Sequence, residues 1–340
     1  MSRRSKMKIV LAVLSALMII CVVGAGVYMY EKTSSREKSI HTGTEKIGRI
    51  RFGKEEYETE NNIQSYLFMG TDGSGNENGK GDKYRGSMSD FILLVILDKT
   101  ENTYGFIQLN RDIITEIPMM DSDGEVNVTG KAQLCTAHWY GGNRNQSCEN
   151  TVETVSKLLG GIDIDGYYAM GMKEIGRLNN AVGGVPVEIE DDLTSVDPSL
   201  KKGRHIKLND AQAENFLRAR TGVGDEENIS RMRRQEQYLK ALMDIFRKKI
   251  RRDPKFSNSI YRKMKKYAVT DMFGNAISNM SNAIYRGENK GILQFKGTRK
   301  TGKTLDDGLL HSEFYPSRKS IIDVMTRLYS LKKIEKRERD

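Results

Sequence analysis

The sequence predicts an α/β protein, a mixed central sheet flanked by helices, carried behind one N-terminal transmembrane helix. Three observations predict it. "FILLVIL", Phe91 to Leu97, is a continuous apolar run short enough for a strand buried on both faces. After the turn-like "DKTENT", "YGFIQL" reads as its antiparallel return. Downstream, segments with helical apolar spacing alternate with further strand-like runs.

Residues 1–8 form a basic tail, with Arg3, Arg4, Lys6 and Lys8. Residues 9–30 carry no charge, and at 1.5 Å per residue a helix there spans about 30 Å of hydrocarbon. The run is too long for a signal-peptide core, and no small-residue cleavage site follows it. The basic flank places the N-terminus in the cytoplasm and everything after the span outside the membrane. Residues 31–62, polar and without apolar periodicity, read as an extracytoplasmic stalk. The main domain is expected over 63–245. A basic, mostly helical part, 246–340, packs on or extends it.

Within that domain "IQSYLFMG" is a strand ending at Gly70, followed by the Gly- and Asn-rich loop "TDGSGNENGKGDKYRGSMSD". A turn centred near Thr100 and Glu101 sets Asp90 opposite Arg111. Asp90 and Asn110-Arg111-Asp112 then share one rim, to which Asp72 also leads. "CENTVETVSKLLG" is a helix. "MKEIGRLNN" is a second, stopped by Gly183-Gly184 before the strand "VPVEIE". "LNDAQAENFLRAR" is a third, capped by Asn209 or Asp210. "ISRMRRQEQYLKALMDIF" is a fourth, with an apolar stripe of Met232, Leu239, Leu242, Met243 and Phe246.

The net charge of +10, with pI near 9.3, favours acidic partners without choosing among nucleic acid, anionic lipid and phosphorylated glycans. Gly297 to Thr304, "GTRKTGKT", fits the P-loop pattern G-x-x-x-x-G-K-[ST]. A P-loop needs a following helix and a parallel sheet, and only 36 residues remain after Thr304, with Gly and Pro where the helix belongs. ATP and GTP are also scarce outside a membrane. The match is therefore read as a basic turn, with no ATP or GTP as partner. "DSDG" at Asp121 resembles the start of a calcium loop, but its twelfth position is Ala132. Cys135 and Cys148 are expected outside the membrane, where a disulfide between them persists. Trp139 and Tyr140 are open to a place in a glycan groove or in the core. Arg247 to Lys266 is strongly basic, open to anionic headgroups or to solvent alone.

The densest chemistry lies in "FLRARTGVGDEENISRMRRQ", with five arginines in seventeen residues. Arg231, Arg234 and Gln235 fall on one helix face at i, i+3 and i+4, and Arg233 points to the other flank. Guanidinium forks suit bidentate binding of phosphate oxygens. With Gly70-Thr71-Asp72, Met88-Ser89-Asp90, Asn110-Arg111-Asp112, Gly183-Gly184-Val185, Arg218-x-Arg220 and Arg231-x-x-Arg234-Gln235 in order, the chain resembles the LytR-CpsA-Psr family of bacterial cell-wall ligases. The resemblance implies an α-β-α catalytic domain over 63–245. It also implies transfer of a phosphate-linked glycopolymer, such as teichoic acid or capsule, from undecaprenyl pyrophosphate to peptidoglycan, at the membrane of a Gram-positive-type cell and without nucleic acid. Asp72 and Asp90 would hold Mg²⁺ or Mn²⁺. Arg111, Arg218, Arg220, Arg231 and Gln235, with Arg234 nearby, would grip the pyrophosphate, and Asp90, Arg111 and Asp112 would carry catalysis. The polyprenyl tail would lie in an apolar tunnel between sheet and helices. Three positions depart from the family pattern: Met88 stands for arginine, Asn110 for proline and Asn228 for a frequent aspartate. Arg85 is a candidate to replace the missing arginine. Other readings of the same residues are a non-catalytic binder or sensor of lipid-linked pyrophosphate glycans, and a lipid-pyrophosphate hydrolase.

Overall fold

The computed structural model describes residues 48–335 apart from 60–61, 80–82, 121–125, 221, 225–227 and 306. The tail and transmembrane helix expected over 1–30 lie outside the described residues. Among the described residues no helix is long and apolar enough to cross a membrane.

The expected stalk is folded at its end. β1 (Gly48–Phe52) and β2 (Glu55–Thr59) form an antiparallel hairpin around Gly53, whose φ of 61° suits the turn. Ile50, Phe52 and Tyr57 are buried in the main core. Three apolar positions in two short strands are too weak a pattern to stand out from a polar stretch.

β3 (Ile63–Thr71), β4 (Ser89–Asp98) and β5 (Thr103–Leu109) are the consecutive antiparallel strands of the central sheet. The β4–β5 register runs from Asp98 opposite Thr103 to Ile92 opposite Leu109, which puts Thr100 and Glu101 in the turn. Along β4 alternate side chains serve opposite layers. Ile92, Leu94 and Ile96 join one core cluster, and Leu93, Val95 and Leu97 join another. Burial on both faces is the reason for the unbroken apolar run.

β6 (Ile114–Met120) and β7 (Val126–Gln133) form a separate hairpin, followed by α1 (Arg144–Leu158) and β8 (Gly166–Gly171). α2 (Ile175–Val182) ends at Gly183, whose φ of 90° suits a left-handed cap. β9 (Pro186–Glu188) and β10 (His205–Lys207) pair before α3 (Asp210–Arg218), which Asn209 and Gln212 start with a reciprocal capping box. α4 (Asn228–Arg252), α5 (Phe256–Met264), β11 (Ala268–Thr270), α6 (Gly274–Arg286) and β12 (Glu288–Leu293) follow. β13 (Gly297–Gly302), β14 (His311–Pro316), α7 (Arg318–Tyr329) and β15 (Lys332–Lys333) complete the described residues.

The central sheet has the order β11-β8-β3-β4-β5-β12, with β8 parallel to β3 and β12 parallel to β5, so it is mixed. Val155 and Leu159 around the end of α1, with Ile321, Met325 and Leu328 of α7, fill one face. α6 covers the other with Ala276, Ile277 and Met280, and partly buried residues of α4 and α5 join it there. The boundary at 245 falls inside α4, and the C-terminal part gives the sheet both edge strands and the core three helices, α5, α6 and α7. That part holds five strands as well as helices, more strand than its sequence suggested. The "GTRKTGKT" segment is mostly β13, paired with β14 in a hairpin, and the next element is a strand where a P-loop requires a helix. There Lys300 pairs with Glu313 at 3.6 Å.

Candidate functional site

The site begins with an irregularity. β3 and β4 pair Gly70 with Phe91 but Thr71 with Ser89, so Asp90 is the extra residue of a β-bulge. A bulge re-aims its side chain. Continuing the β4–β5 register by two residues brings Arg111 opposite Asp90. Arg111 Nη1 donates to Asp90 Oδ1 in a close ion pair, and Arg231 Nη1, from the start of α4, donates to Asp90 Oδ2 at 3.1 Å. One carboxylate thus holds two guanidinium groups at the junction of three strand ends and a helix start.

Each arginine is held from behind. Arg111 Nη2 donates to Cys135 Sγ at 2.9 Å and touches Met88 Sδ at 3.4 Å, and Asp112 lies 3.5 Å from Nε. That last contact is an ion pair and not a hydrogen bond, since Nε has no hydrogen-bond partner. Asp112 is buried and accepts from Gln133 Nε2 at 3.3 Å. Burial raises its pKa above the usual carboxylate range, with Arg111, Arg220 and Arg231 opposing. Asp112 therefore backs Arg111 and does not face open space. Arg231 donates through Nε and Nη2 to Asn228 Oδ1, at 3.0 and 2.6 Å. Burial lowers its pKa, and the Asp90 carboxylate opposes that shift.

Two departures from the family pattern meet here. Asn228 Nδ2 donates to Asn110 Oδ1 at 2.8 Å, and the same oxygen accepts from the Asp112 backbone N–H at 2.9 Å. Asn228 turns an acceptor to Arg231 and a donor to Asn110, which an aspartate cannot do. The third departure, Met88, lies against Arg111. Arg85 stacks over Trp139, 4.2 Å from the ring centroid, and Trp139 in turn stacks on Tyr140.

The other expected residues are distributed as follows. Asp72 sits in the turn after β3, where its Oδ1 accepts from the backbone N–H groups of Ser74 and Met88 and from the Ser74 hydroxyl. Arg220 lies close enough to bear on the charges of Asp112 and Arg231. Arg218 is exposed and pairs with Glu214 at 2.7 Å. Arg234 is buried, donating to the carbonyls of Phe216 and Ala219 and to Asp191 at 3.0 Å, so it ties α4 to α3 and the loop after β9. The expected disulfide is not formed. Cys135 and Cys148 are both free and buried: Cys135 serves Arg111, and Cys148 faces His138 Nε2 at 3.7 Å. They belong to different elements, a short turn after β7 and α1, and nearness in sequence does not aim them at each other. Burial pushes the Cys135 thiol up to about 11.

Beside this cluster an apolar cavity of about 280 Å³ lies between the sheet and α4, α5 and α6. Leu239, Leu242, Met243 and Phe246 line it, so the apolar stripe of α4 faces a space as well as a core. A water needs roughly 10–15 Å³ by that measure and two to four polar partners, and most of these walls are apolar side chains, with polar groups only at Gln235, Ser257, Ser281 and the tyrosines. The lining reaches the charged cluster through Gly70, Phe91 and Gln235. A Cβ on Gly70 would meet Met172 Sδ at 2.5 Å and Phe91 Cβ at 3.1 Å, so a larger residue here would press on both of these lining side chains. Gln235 Oε1 accepts from Gln108 Nε2 at 3.2 Å, while its own Nε2 is buried without a partner. Gln108 and Asp191 were not picked out in the sequence, whereas Asn110 was placed on the rim, Asn228 was noted as a departure from the family pattern three residues before Arg231, and Cys135 was assigned to a disulfide instead of to Arg111.

A model of the LytR_cpsA_psr family matches residues 22–327. The polyisoprenyl-teichoic acid–peptidoglycan teichoic acid transferase TagU of Bacillus cereus is 26 % identical over 227 residues, covering 66 % of this chain and 67 % of its own. Biofilm regulatory protein A of Streptococcus mutans is 28 % identical over 189 residues, 53 % of this chain and 44 % of that protein. Among solved structures, B. subtilis TagV shares the fold with a TM-score of 0.57 at 23 % identity, over 79 % of this chain and 96 % of that one. TagT bound to LIIa-WTA does so with a TM-score of 0.56 at 19 % identity, over 78 % and 91 %.

Proposed function

The chain belongs to the LytR_cpsA_psr family, and from that premise we propose that it is a membrane-anchored phosphotransferase. It moves a phosphate-linked glycopolymer from undecaprenyl pyrophosphate to peptidoglycan outside the membrane. The observation that carries this reading is the adjacency of a paired-arginine rim and an apolar cavity, joined at Gly70, Phe91 and Gln235. A lipid with a diphosphate head needs those two environments side by side. The uncharged run over 9–30 supports the anchor.

In this reading Arg111 and Arg231 exchange Asp90 for diphosphate oxygens, and Arg220 adds charge from the α3–α4 connection. Asp112, Cys135 and Asn228 keep the guanidinium groups in place during the exchange. Gln235 Nε2 donates to the ligand at the boundary between head and tail. The arginines then stabilise charge gathering on the departing lipid phosphate.

Asp72 and Asp90 suit Mg²⁺ or Mn²⁺ as a donor set: two hard carboxylates from the adjoining ends of paired strands, with phosphate oxygens and water completing the shell. Both Asp90 oxygens are engaged by arginine, so Asp90 would be free to hold the ion only once a phosphate ligand has drawn Arg111 and Arg231 away. Bound there it would neutralise phosphate charge as a Lewis acid.

The test is incubation of the full chain with a short-chain lipid-pyrophosphate glycan, Mg²⁺ and nascent peptidoglycan. Covalent transfer is the expected result. Release of lipid phosphate without transfer would make the protein a hydrolase, and binding alone would make it a sensor or scaffold.

A further inference from the structure

Twenty residues, Arg247 to Lys266, hold ten Lys and Arg against one acidic residue, Asp253, a net +9 within a chain whose total is +10. They form the end of α4, its connection to α5, and α5 with the turn after it. All ten cationic side chains are exposed, and among the described residues none of them makes an ion pair. Several cations elsewhere on the surface are paired, as in Lys157 with Glu153, Arg177 with Glu174 and Lys240 with Glu236, but no other stretch of twenty residues is this basic. Unscreened like charge this dense opposes folding, so its concentration on one face calls for an anionic partner.

Two further features choose the partner. Aromatic rings lie among the cations: Lys265 Nζ is 5.7 Å from the Tyr261 ring and 5.9 Å from that of Phe273, and Lys266 Nζ is 4.8 Å from that of Tyr267. Phe273 is 64 % exposed. A soluble polyanion without rings, such as a polyphosphate or a phosphorylated glycan, gains little from an exposed phenyl ring, whereas a bilayer interface takes aromatic rings at headgroup depth and attracts Lys and Arg. The same helix α5 turns Ser257, Ile260 and Met264 inward to wall the apolar cavity.

We propose that the face formed by the end of α4, α5 and Phe273 docks on an anionic lipid bilayer, setting the α5 wall of the cavity at the headgroup boundary. Docking is a property of the surface, so it would persist in a chain that transferred nothing. The test uses the full chain in nanodiscs of phosphatidylcholine alone or mixed with phosphatidylglycerol, with an environment-sensitive fluorophore attached at Asn275→Cys, two residues from Phe273. Emission is expected to rise at least about twofold in the anionic discs and to be quenched by headgroup-labelled nitroxide lipid, with neither change in phosphatidylcholine. High salt reverses the rise in the otherwise unaltered chain. A quadruple variant, Arg262→Gln, Lys263→Gln, Lys265→Gln and Lys266→Gln, shown folded by its melting curve, loses it. Equal emission in both discs, insensitivity to salt, or a folded quadruple variant that still responds would overturn the proposal. So would an equal rise on adding soluble polyphosphate to phosphatidylcholine discs, which would make the partner a free polyanion.

Discussion

The two ends of helix α4 carry the same side chain to opposite fates. At its start Arg231 and Arg234 are 3 % and 2 % exposed, and each is bonded to a carboxylate and to further oxygens. At its far end Arg247, Arg251 and Arg252 stand in water with no acidic partner among the described residues. Removing a guanidinium from water costs several kcal/mol, so burial demands complete partnering, and exposure demands nothing. Charge buried on purpose has a fixed position, and fixed position is what phosphate recognition needs. Charge left in water has reach, which suits a surface without defined geometry. Within the buried pair there is a second contrast. Arg234 is held largely by backbone carbonyls, which have no alternative position. Arg231 is held by two side chains, and one of them, Asp90, borders open space.

The largest expected effect breaks that second contrast. Asp90→Asn leaves Arg111 and Arg231 facing one another without their shared negative charge. We predict a loss of transfer of at least about 100-fold, together with a loss of about 3 kcal/mol in stability from the uncompensated arginines. Transfer assays and thermal melts read the two effects separately. A variant that melts lower yet transfers at the wild-type rate would reduce Asp90 to a folding residue.

Arg234→Ala is next and should separate anchor from site. It strips two carbonyls and Asp191 of their buried donor, so stability should fall by about 3 kcal/mol while the folded fraction binds a lipid diphosphate analogue normally. Arg111→Ala should show the reverse balance, with affinity weakened by about 1.5–3 kcal/mol and a smaller change in melting. If the two variants gave the same balance, the distinction between them would be lost.

The cavity sharpens the comparison from the apolar side. Met243→Trp should occupy part of the space and weaken binding of a long-chain prenyl diphosphate about tenfold, with little change for a chain of two isoprene units. Equal loss for both chain lengths would place the tail elsewhere.

How much of this was legible in the sequence depended on range. β3, β4 and β5 stood out because a strand buried on both faces needs an unbroken apolar run, and the hairpin turn fixed which residue opposes Arg111. The arginine-rich segment stood out by density. Arg234 read as a phosphate ligand because the residue that occupies it, Asp191, lies 43 positions away, beyond any local pattern. Cys135 and Cys148 misled for the opposite reason, since closeness in sequence suggested a bond that their elements do not aim. The β1–β2 hairpin hid in a polar stretch with too few apolar positions to count. The bulge that turns Asp90 out of the sheet left no mark, because it exists only in the pairing of two strands.

The smallest expected effect concerns the pair of asparagines, 118 residues apart, that replace the usual proline and aspartate. Asn228→Asp would strengthen the acceptor facing Arg231 but leave two oxygens opposed where Nδ2 now donates to Asn110 Oδ1. The lost hydrogen bond and the new repulsion should cost about 1–2 kcal/mol, partly offset by the charged bond to Arg231. Asn110→Ala alone should cost a similar amount, because it also removes the acceptor of the Asp112 backbone N–H. If the two side chains act through each other, the double variant should be about 1 kcal/mol more stable than the sum of the single losses, since the opposed oxygens are gone. Diphosphate affinity should fall slightly in every variant that carries Asn228→Asp, as one more negative charge then competes for Arg231. Strict additivity in a thermal double-mutant cycle would show that Asn110 and Asn228 were replaced independently, and that their contact does not position Arg231.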